Sequence, residues 1–260
     1  MCGIAGHAGV PISVYASAPA TRLGTPMCAT MLHRGPDDAG LWSREDGSVV
    51  LGHRRLSIID RSPLGRNPMV WGDGGFHITF NGEIYNFREL RAELENDGCR
   101  FRSQTDTEVI LAAYDKWGVQ CLDRLAGMFA FAIWDEPRQR LFLARDRFGK
   151  KPLYYSLRGG RVAFASELKA LLAEAEFPRN VDPAALRLYL RFGYVPAPLT
   201  IFSEARKLPP GHFAIFERGA LSIEQYWDPV SIAVSDPLPL SFEDAEQLKE
   251  EYGCAMLGLT

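Results

Sequence analysis

The sequence lacks several features that would place the protein in a special class. It has no run of 18 or more apolar residues, so no transmembrane helix is predicted. No basic segment precedes an apolar stretch at the N-terminus, so we expect no secretory signal and a cytoplasmic location. The five cysteines are an odd number without a Cys-x-x-Cys pair, which is typical of a reducing compartment rather than of a disulfide framework.

Basic charge and metal ligands are also scarce. The 29 Lys and Arg residues are outnumbered by 32 Asp and Glu residues, and the net charge of −3 argues against a nucleic-acid-binding surface. The five histidines are scattered and do not stand at metal-ligand spacing, so no metal site is predicted. What is present is an ordinary composition, 47% hydrophobic and 23% charged, in a chain of 260 residues. That length allows one large domain, or one domain followed by a tail.

The apolar pattern changes along the chain between the two-residue period of strands and the longer period of helices. A loop is predicted over residues 60–68, and a hairpin turns at Arg218-Gly219. Strands are predicted over residues 3–10, 40–42, 49–53, 76–80, 128–134, 141–144, 153–157 and 162–165. Helices are predicted over residues 20–33, 86–96 with Asn86 as N-cap, 106–117, 166–175, 182–192 and 242–252.

These elements predict an α+β fold. The strand over residues 128–134 is apolar on both faces, so we expect it to be covered on both sides. Stacked antiparallel sheets with helices outside them would satisfy that burial. We expect a main domain over residues 2–175, a linker-like appendage over 176–228, and a weakly patterned C-terminal tail over 229–260.

Cys2 follows the initiator methionine directly, which is a chemical opportunity. Removal of Met1 would leave a free α-amino group on Cys2, with a pKa of roughly 7.7–8.0 against about 8.5 for a thiol. Nucleophile and base would then belong to one residue, as in other N-terminal nucleophiles. The alternative is that Cys2 and Ile4 are only half-buried strand positions.

Asn81-Gly82 offers donors for a tetrahedral oxyanion. The pair follows the strand predicted over residues 76–80 and supplies a side-chain NH₂ and an unhindered backbone N–H. The alternative is a plain Asn-Gly turn. The flanking apolar stretches are too long and irregular for a tight hairpin, which weakens that alternative.

Charged residues at three places are candidates for holding a zwitterionic substrate. One arginine of Arg54-Arg55 faces inward if the segment is a strand, and it needs a carboxylate there. That carboxylate belongs either to a substrate or to an internal partner, Asp37 or Asp60. Glu83 and Asp106 could together bind an ammonium group, whereas Asp106 alone would be a helix cap.

These motifs together resemble the class II glutamine amidotransferases, most closely the glutaminase domain of glutamine-hydrolysing asparagine synthases. The match covers about 170 residues in family order. Its segments are Met1-Cys2-Gly3-Ile4, Arg34-Gly35-Pro36-Asp37, Arg55-Leu56-Ser57-Ile58-Ile59-Asp60, Asn81-Gly82-Glu83-Ile84-Tyr85-Asn86, Ser103-Gln104-Thr105-Asp106-Thr107-Glu108, Gly127-Met128-Phe129-Ala130-Phe131, Arg145-Asp146-Arg147-Phe148-Gly149-Lys150-Lys151-Pro152-Leu153-Tyr154-Tyr155 and Phe164-Ala165-Ser166-Glu167-Leu168-Lys169-Ala170-Leu171.

The resemblance implies a four-layer αββα N-terminal-nucleophile hydrolase fold and L-glutamine as substrate. Cys2 would attack the glutamine amide, and Asn81 with Gly82 would stabilise the oxyanion. Met128 and the region of Arg34 resemble positions near the mouth of an ammonia tunnel. The implied glutamine-binding residues are Arg55, Leu56, Ser57, Ile58, Ile59, Asn81, Gly82, Glu83 and Asp106.

The sequence departs from the family after the predicted linker. Full-length relatives carry a synthetase domain with a Ser-Gly-Gly-x-Asp-Ser motif that uses MgATP and aspartate, and this sequence has no such motif. We therefore expect no cofactor in this chain and a truncated copy or split subunit. A separate synthetase chain and a homodimer stay open as partners. The alternatives to a glutaminase are a non-catalytic glutamine-binding module and a misfolded remnant that exposes a synthetase-facing apolar surface.

Overall fold

The computed structural model describes residues 1–9, 26–57, 62–174 and 177–230. Within these residues, twelve strands form two antiparallel sheets of six strands each. The strands are β1 Gly3–Gly9, β2 Asp38–Ser43, β3 Val49–Arg55, β4 Met69–Trp71, β5 Phe76–Ile84, β6 Gly127–Asp135, β7 Arg140–Arg145, β8 Tyr154–Arg158, β9 Arg161–Ala165, β10 Arg206–Lys207, β11 His212–Glu217 and β12 Ala220–Gln225.

Helices pack outside both sheets. In the described segments they are α1 Phe87–Asn96, α2 Asp106–Trp117, α3 Cys121–Arg124, α4 Leu168–Leu171 and α5 Pro183–Phe192, with short 3₁₀ turns at Pro63–Gly65 and Gly118–Gln120. Residues 26–29 are also helical. Every helix in the part of the chain that the structure describes is too short or too polar to cross a bilayer.

The sheets stack face to face, as the two-sided apolar strands predicted. The first sheet has the order β10-β8-β9-β1-β3-β2, and the second has the order β12-β11-β7-β6-β5-β4. An apolar layer that includes Leu51, Ala130 and Phe164 fills the space between them. A second layer joins α1 and α2 to the second sheet, and a third joins residues 27–31 and α4 to the first sheet. The α+β fold and its four layers are therefore confirmed.

Strand alternation decides which side chains reach the space between the sheets. Ile4 and Leu51 lie in the layer between the sheets, so Cys2, two residues before Ile4, and Arg55, four after Leu51, belong to the same faces. On β5, Asn81 stands opposite Ala130, which also lies in that layer. Cross-strand neighbours share a face, so Asn81 points toward the first sheet. Alternation thus turns the candidate residues of both sheets toward each other.

Two local predictions need correction, and one strand lies where none is predicted. The strand expected to end at Phe80 continues to Ile84, because β6 pairs with it through Asn81, Gly82 and Glu83; Asn81-Gly82 therefore lies within a strand, not after one. The helix predicted over residues 166–175 is only the four-residue α4. The loop predicted over residues 60–68 contains a 3₁₀ turn and is followed by the unpredicted β4.

Asn86 stands at the N-cap position of α1, but its side chain makes no capping hydrogen bond. Instead its Nδ2 donates to Arg124 O at 2.9 Å, and its Oδ1 accepts from Ala126 N at 3.0 Å. These bonds tie the start of α1 to the segment that leads into β6. Asn86 therefore organises a tertiary contact rather than the first turn of its own helix.

The segment expected to be a linker contributes to both sheets. β10 pairs with β8 in the first sheet, and β11 pairs with β7 in the second. The division of the chain at residue 175 stays a prediction. The helix predicted over residues 242–252 lies outside the described residues.

Gly6 lies where β1 is packed most closely against its neighbours in the first sheet, which gives a test of that packing. A Cβ there would lie 2.2 Å from Val50 O and 2.7 Å from the Phe164 ring. We expect Gly6→Ala to lower the free energy of unfolding by about 1–3 kcal/mol, measured by urea denaturation, because the strands must move apart. Gly75→Ala is the control: the nearest atom to its Cβ is 4.0 Å away, and a change within about 0.5 kcal/mol is expected. Equal effects of the two substitutions would contradict the packing.

Candidate active site

A cavity of ≈ 240 Å³ gathers most of the predicted site residues from both sheets. The N-terminus contributes Cys2, and the end of β3 in the first sheet contributes Arg55 and Leu56. The other predicted residues in the cavity come from β5 and from the start of α2. The residues that line it are Met1, Cys2, His53, Arg55, Leu56, Gly65, Asn67, Phe80, Asn81, Gly82, Glu83, Thr105, Asp106, Thr107, Met128 and Lys151.

Cys2 is held by its backbone and by its sulfur. The Cys2 carbonyl oxygen accepts from Arg34 Nε at 2.9 Å, and Arg34 Nη1 in turn donates to Glu167 Oε1 at 3.1 Å. The sulfur lies 3.4 Å from Leu56 N and 3.6 Å from Leu56 O, so the amide can donate to it and the thiol can donate to the carbonyl. The nucleophile candidate is thus fixed against the end of β3.

Two opposing effects act on the pKa of the Cys2 thiol, which is partly buried and lies near cations. Burial raises the pKa of this thiol above its ordinary value, and the Leu56 amide, the N-terminal ammonium, Arg55 and Lys151 act in the opposite direction. In this structure Met1 precedes Cys2, so the nitrogen of Cys2 is a peptide amide and cannot accept a proton. A thiol with a raised pKa needs a nearby base before it becomes a good nucleophile.

Asn81 presents a side-chain donor that the described residues leave unused, and Gly82 lies next to it on the cavity wall. Asn81 is 1% exposed, and its Nδ2 has no hydrogen-bond partner in the described residues. A buried amide without a partner costs on the order of 1–3 kcal/mol, so a polar group of a ligand would be favoured there. Gly82 packs so closely on β6 that a Cβ would lie 2.3 Å from Met128 O. A side chain at position 82 would push β5 away from β6, so glycine there allows the two strands to pair.

Arg55 supplies positive charge at the cavity. It is 8% exposed, and its Nη1 donates to Ser62 O at 3.2 Å. Asp37, one internal partner considered for this arginine, accepts instead from Ser57 N at 2.8 Å. Asp60, the other partner considered, lies outside the described residues. As predicted, Arg55 is the inward arginine of its pair, and Arg54 donates to Gly35 O at 3.0 Å.

Two carboxylates, Glu83 and Asp106, lie on the cavity wall supplied by β5 and α2. Asp106 is 4% exposed, and its Oδ2 accepts from Ile84 N at 3.0 Å. Burial raises the pKa of Asp106 to about 6, and the charge of Glu83 adds to the rise, while the amides of Ile84 and Thr107 oppose it. The cap of α2 is Thr105, whose hydroxyl accepts from Glu108 N. Asp106 is therefore available to a cationic group.

Several predicted residues are not brought to the cavity, and others were missed. Ser57 is not among the lining residues, and Ile58 and Ile59 lie outside the described residues. His53 and Lys151 line the cavity without having been predicted there. For His53 the available signal was its position two residues before Arg55 on one strand face.

Lys151 lacked such a signal because its position depends on a turn. The buried carboxylate of Asp146 accepts from the amides of Phe148, Lys150 and Lys151 at 2.8–3.1 Å and so shapes residues 146–151. Burial lowers the pKa of Lys151, and Arg34 adds to this, while Asp146 and Cys2 oppose it. Among the described residues, no group of three His, Cys, Asp or Glu side chains could hold a metal ion.

The raised pKa of Asp106 predicts how the stability of the protein depends on pH. Its pKa is near 4 in an unfolded chain and about 6 when folded. The folded protein therefore binds more protons between these values, and this group's contribution to stability falls as pH rises through that window. We expect Asp106→Asn to raise the free energy of unfolding by roughly 1–3 kcal/mol at pH 8, and the gain to disappear near pH 4, measured by denaturant titration.

The control is Asp46→Asn on an exposed turn, where Asp46 accepts from the Ser48 amide at 2.9 Å and no gain at pH 8 is expected. A gain for Asp106→Asn that is independent of pH would contradict a buried, titrating carboxylate.

The chain is similar to known proteins over most of its length. The sequence model of the glutamine amidotransferase domain matches residues 1–227. A glutamine-hydrolyzing asparagine synthetase 3 of Bacillus subtilis is 40% identical over 221 residues, which are 84% of this chain and 35% of that protein. A putative glutamine-hydrolyzing asparagine synthetase of Mycobacterium bovis is 41% identical over 244 residues, or 88% of this chain and 37% of that protein. The chain thus spans about a third of the length of these relatives.

Solved structures share the fold at low sequence identity. The glutamine phosphoribosylpyrophosphate amidotransferase of B. subtilis has a TM-score of 0.64 at 20% identity, covering 87% of this chain and 49% of that one. An allosteric regulatory enzyme of purine biosynthesis has a TM-score of 0.65, again at 20% identity and with the same coverage. Since the family match extends over most of its length, this chain belongs to the glutamine amidotransferase domain family.

Proposed function

We propose that this protein hydrolyses L-glutamine to glutamate and ammonia, with Cys2 as the nucleophile. The observation that carries the proposal is one cavity that joins the Cys2 thiol, charges of both signs and the Asn81 amide, whose Nδ2 has no partner among the described residues. A free amino acid that carries a side-chain amide matches all of these groups at once. The relatives named as glutamine-hydrolyzing enzymes support the same substrate.

The α-groups of glutamine are bound by charge. Arg55 faces the α-carboxylate, for which a guanidinium has two parallel donors. Glu83 and Asp106 face the α-ammonium, and this cation offsets their mutual repulsion. Both interactions form inside a partly closed cavity, where charges interact more strongly than in water. Together they direct the side-chain amide toward Cys2.

Chemistry begins after Met1 has been removed. Met1 is 57% exposed, so it is accessible to an aminopeptidase. The freed amine of Cys2 accepts the thiol proton, and the thiolate attacks the amide carbon. The carbonyl electron pair moves to oxygen, where Asn81 Nδ2 and the Gly82 N–H donate to the oxyanion.

The intermediate then collapses, and the C–N bond breaks. The nitrogen takes the proton held by the α-amine and leaves as ammonia, and a γ-glutamyl thioester remains on Cys2. Water, deprotonated by the same amine, adds to the thioester through a second oxyanion. Cleavage of the C–S bond releases glutamate and restores the thiol.

The fate of the ammonia is a separate proposal. The relatives' names include asparagine formation, and we infer that ammonia made here serves a similar amidation, in a part of the enzyme other than the described residues. The printed sequence contains no Ser-Gly-Gly-x-Asp-Ser motif for a nucleotide. The nucleotide site that such an amidation needs would then belong to another chain or segment.

Cys2→Ala tests the nucleophile. Without the thiol no thioester forms, so we expect glutamate release to fall to the level without protein, measured by a coupled glutamate assay on protein whose N-terminus has been checked by mass. Cys28→Ala is the control, because Cys28 is buried outside the cavity, and it should keep its turnover. Glutamate release by Cys2→Ala at the wild-type rate would refute the proposal. Binding of glutamine without turnover in the wild type would indicate the binding module instead.

Asp106 also makes glutamine binding depend on pH. The free carboxyl protonates as pH falls through about 6, and its attraction for the α-ammonium is then lost. We expect the dissociation constant of glutamine to rise about tenfold per pH unit below that value, measured by calorimetry on Cys2→Ala so that no chemistry interferes. Asp106→Asn should bind more weakly and lose this dependence. A constant affinity from about pH 5 to 8 would show that the ammonium is held elsewhere.

A further inference from the structure

Two buried hydrogen bonds cross the largely apolar layer between the sheets beside the cavity. His53 Nε2 lies 2.9 Å from Phe80 O, and Thr79 Oγ1 donates to Gly52 O at 3.0 Å. His53 is 2% exposed and Thr79 is fully buried. The two bonds run in opposite directions between the same two strands, β3 and β5, which belong to different sheets.

The proton of His53 can be assigned from its partner. Burial lowers the pKa of His53 to about 4, so the ring is neutral near pH 7. A carbonyl oxygen only accepts, so the hydrogen of the neutral ring is on Nε2 and is donated to Phe80 O. Nδ1 then carries a lone pair, and it is buried without a partner in the described residues. The ring is therefore fixed by the cross-sheet bond.

The segment of β5 that this bond reaches has little other support. β4 pairs with β5 only over Phe76–Ile78, whereas β6 pairs with it to Ile84. In the part of the chain that the structure describes, Asn81 and Gly82 thus have a strand neighbour on one side only. The Phe80 carbonyl belongs to the peptide unit that contains the nitrogen of Asn81. A fixed Phe80 carbonyl therefore fixes the plane of that peptide unit and, with it, the backbone position of Asn81.

We propose that His53 is a positioning residue for the oxyanion donors, which it holds through the Phe80 carbonyl, with the Thr79–Gly52 bond as the second tie between the sheets. This inference rests on the proposed hydrolysis of glutamine and assigns that site a residue outside the substrate-binding set. The tie joins the strand that carries Arg55 to the strand that carries Asn81. Carboxylate binding and oxyanion binding are thereby kept at a fixed separation.

The consequence is specific to the transition state. Donors that drift by a fraction of an ångström still admit glutamine, because its α-groups are held elsewhere, but they no longer meet the oxyanion. Loss of the tie should therefore lower kcat and leave KM nearly unchanged. A residue that only supports the fold would lower the melting temperature without this split.

The experiment compares matched substitutions in the full chain with a processed N-terminus. His53→Leu removes the donor, whereas His53→Gln keeps an N–H near the position of Nε2. We expect kcat to fall about ten- to a hundredfold in His53→Leu with KM within about twofold, and His53→Gln to recover most of the loss. His7→Leu is the control, since His7 is a fully buried histidine on β1 whose two ring nitrogens have no partner in the described residues. It should keep the wild-type kcat.

A double substitution tests whether His53 acts through Asn81. If it does, His53→Leu should cost much less in an Asn81→Ala background than alone, because one of the positioned donors is already gone. Full additivity of the two losses in kcat would overturn the proposal. So would a wild-type kcat in His53→Leu, or an equal loss in His53→Gln and His53→Leu.

Two further measurements keep the outcome decisive. If His53→Leu does not fold, Thr79→Val against Thr79→Ser tests the second tie, with the same fall in kcat expected for valine only. Amide hydrogen exchange should be faster at residues 79–83 in His53→Leu, or in Thr79→Val, than in the wild type. Unchanged exchange there would overturn the positioning role. A wild type that releases no glutamate but shows this change in exchange would refute the proposed function alone.

Discussion

Two antiparallel sheets pack face to face in this protein, and their contact fixes the positions of the strands that carry the candidate site. Strand side chains alternate, so each strand sends every second residue into the layer between the sheets. Over most of the layer these residues are apolar, as at Leu51, Ala132 and Phe164. At one end the same alternation brings Arg55 and Asn81 inward. Arg55 and Asn81 are thus continuations of the core pattern of their strands, and their separation follows from the sheet stacking.

The cavity concentrates groups that are unfavourable without a ligand. Three groups lower the stability of the empty protein: the Asp106 carboxylate with its raised pKa, the desolvated Cys2 thiol, and the Asn81 amide, which has no partner among the described residues. Two buried carboxylates outside the cavity, within the described residues, are paired. Asp135 accepts from Tyr114 at 2.9 Å, and Glu174 contacts Arg161 at 2.9 Å. The contrast makes this cavity a candidate ligand site, since a ligand could satisfy these groups.

A comparison of predicted and observed elements shows which features local sequence patterns can predict. Helix α2 was predicted over Asp106–Trp117 and has those bounds, because its apolar period and its threonine cap are local signals. The end of β5 was placed too early, since Asn81-Gly82 has turn-like composition and only pairing with β6 keeps it extended. Asn86 was expected to cap α1, but its side chain bonds residues 124 and 126, which are distant in sequence.

Local sequence patterns predict the fold class, the family and the residue types of the candidate site, because strand alternation, helix caps and ordered motifs are properties of neighbouring residues. They also indicate that Arg55 or Arg54 must face inward. Only the tertiary structure decided which residues meet. Three features depend on segments that are far apart in the chain. They are the hydrogen bond of His53 to Phe80 between the sheets, the position of Lys151 in the cavity, which the Asp146 turn sets, and the raised pKa of Asp106. Hydrogen bonding and desolvation are set by such contacts, and no local pattern encodes them.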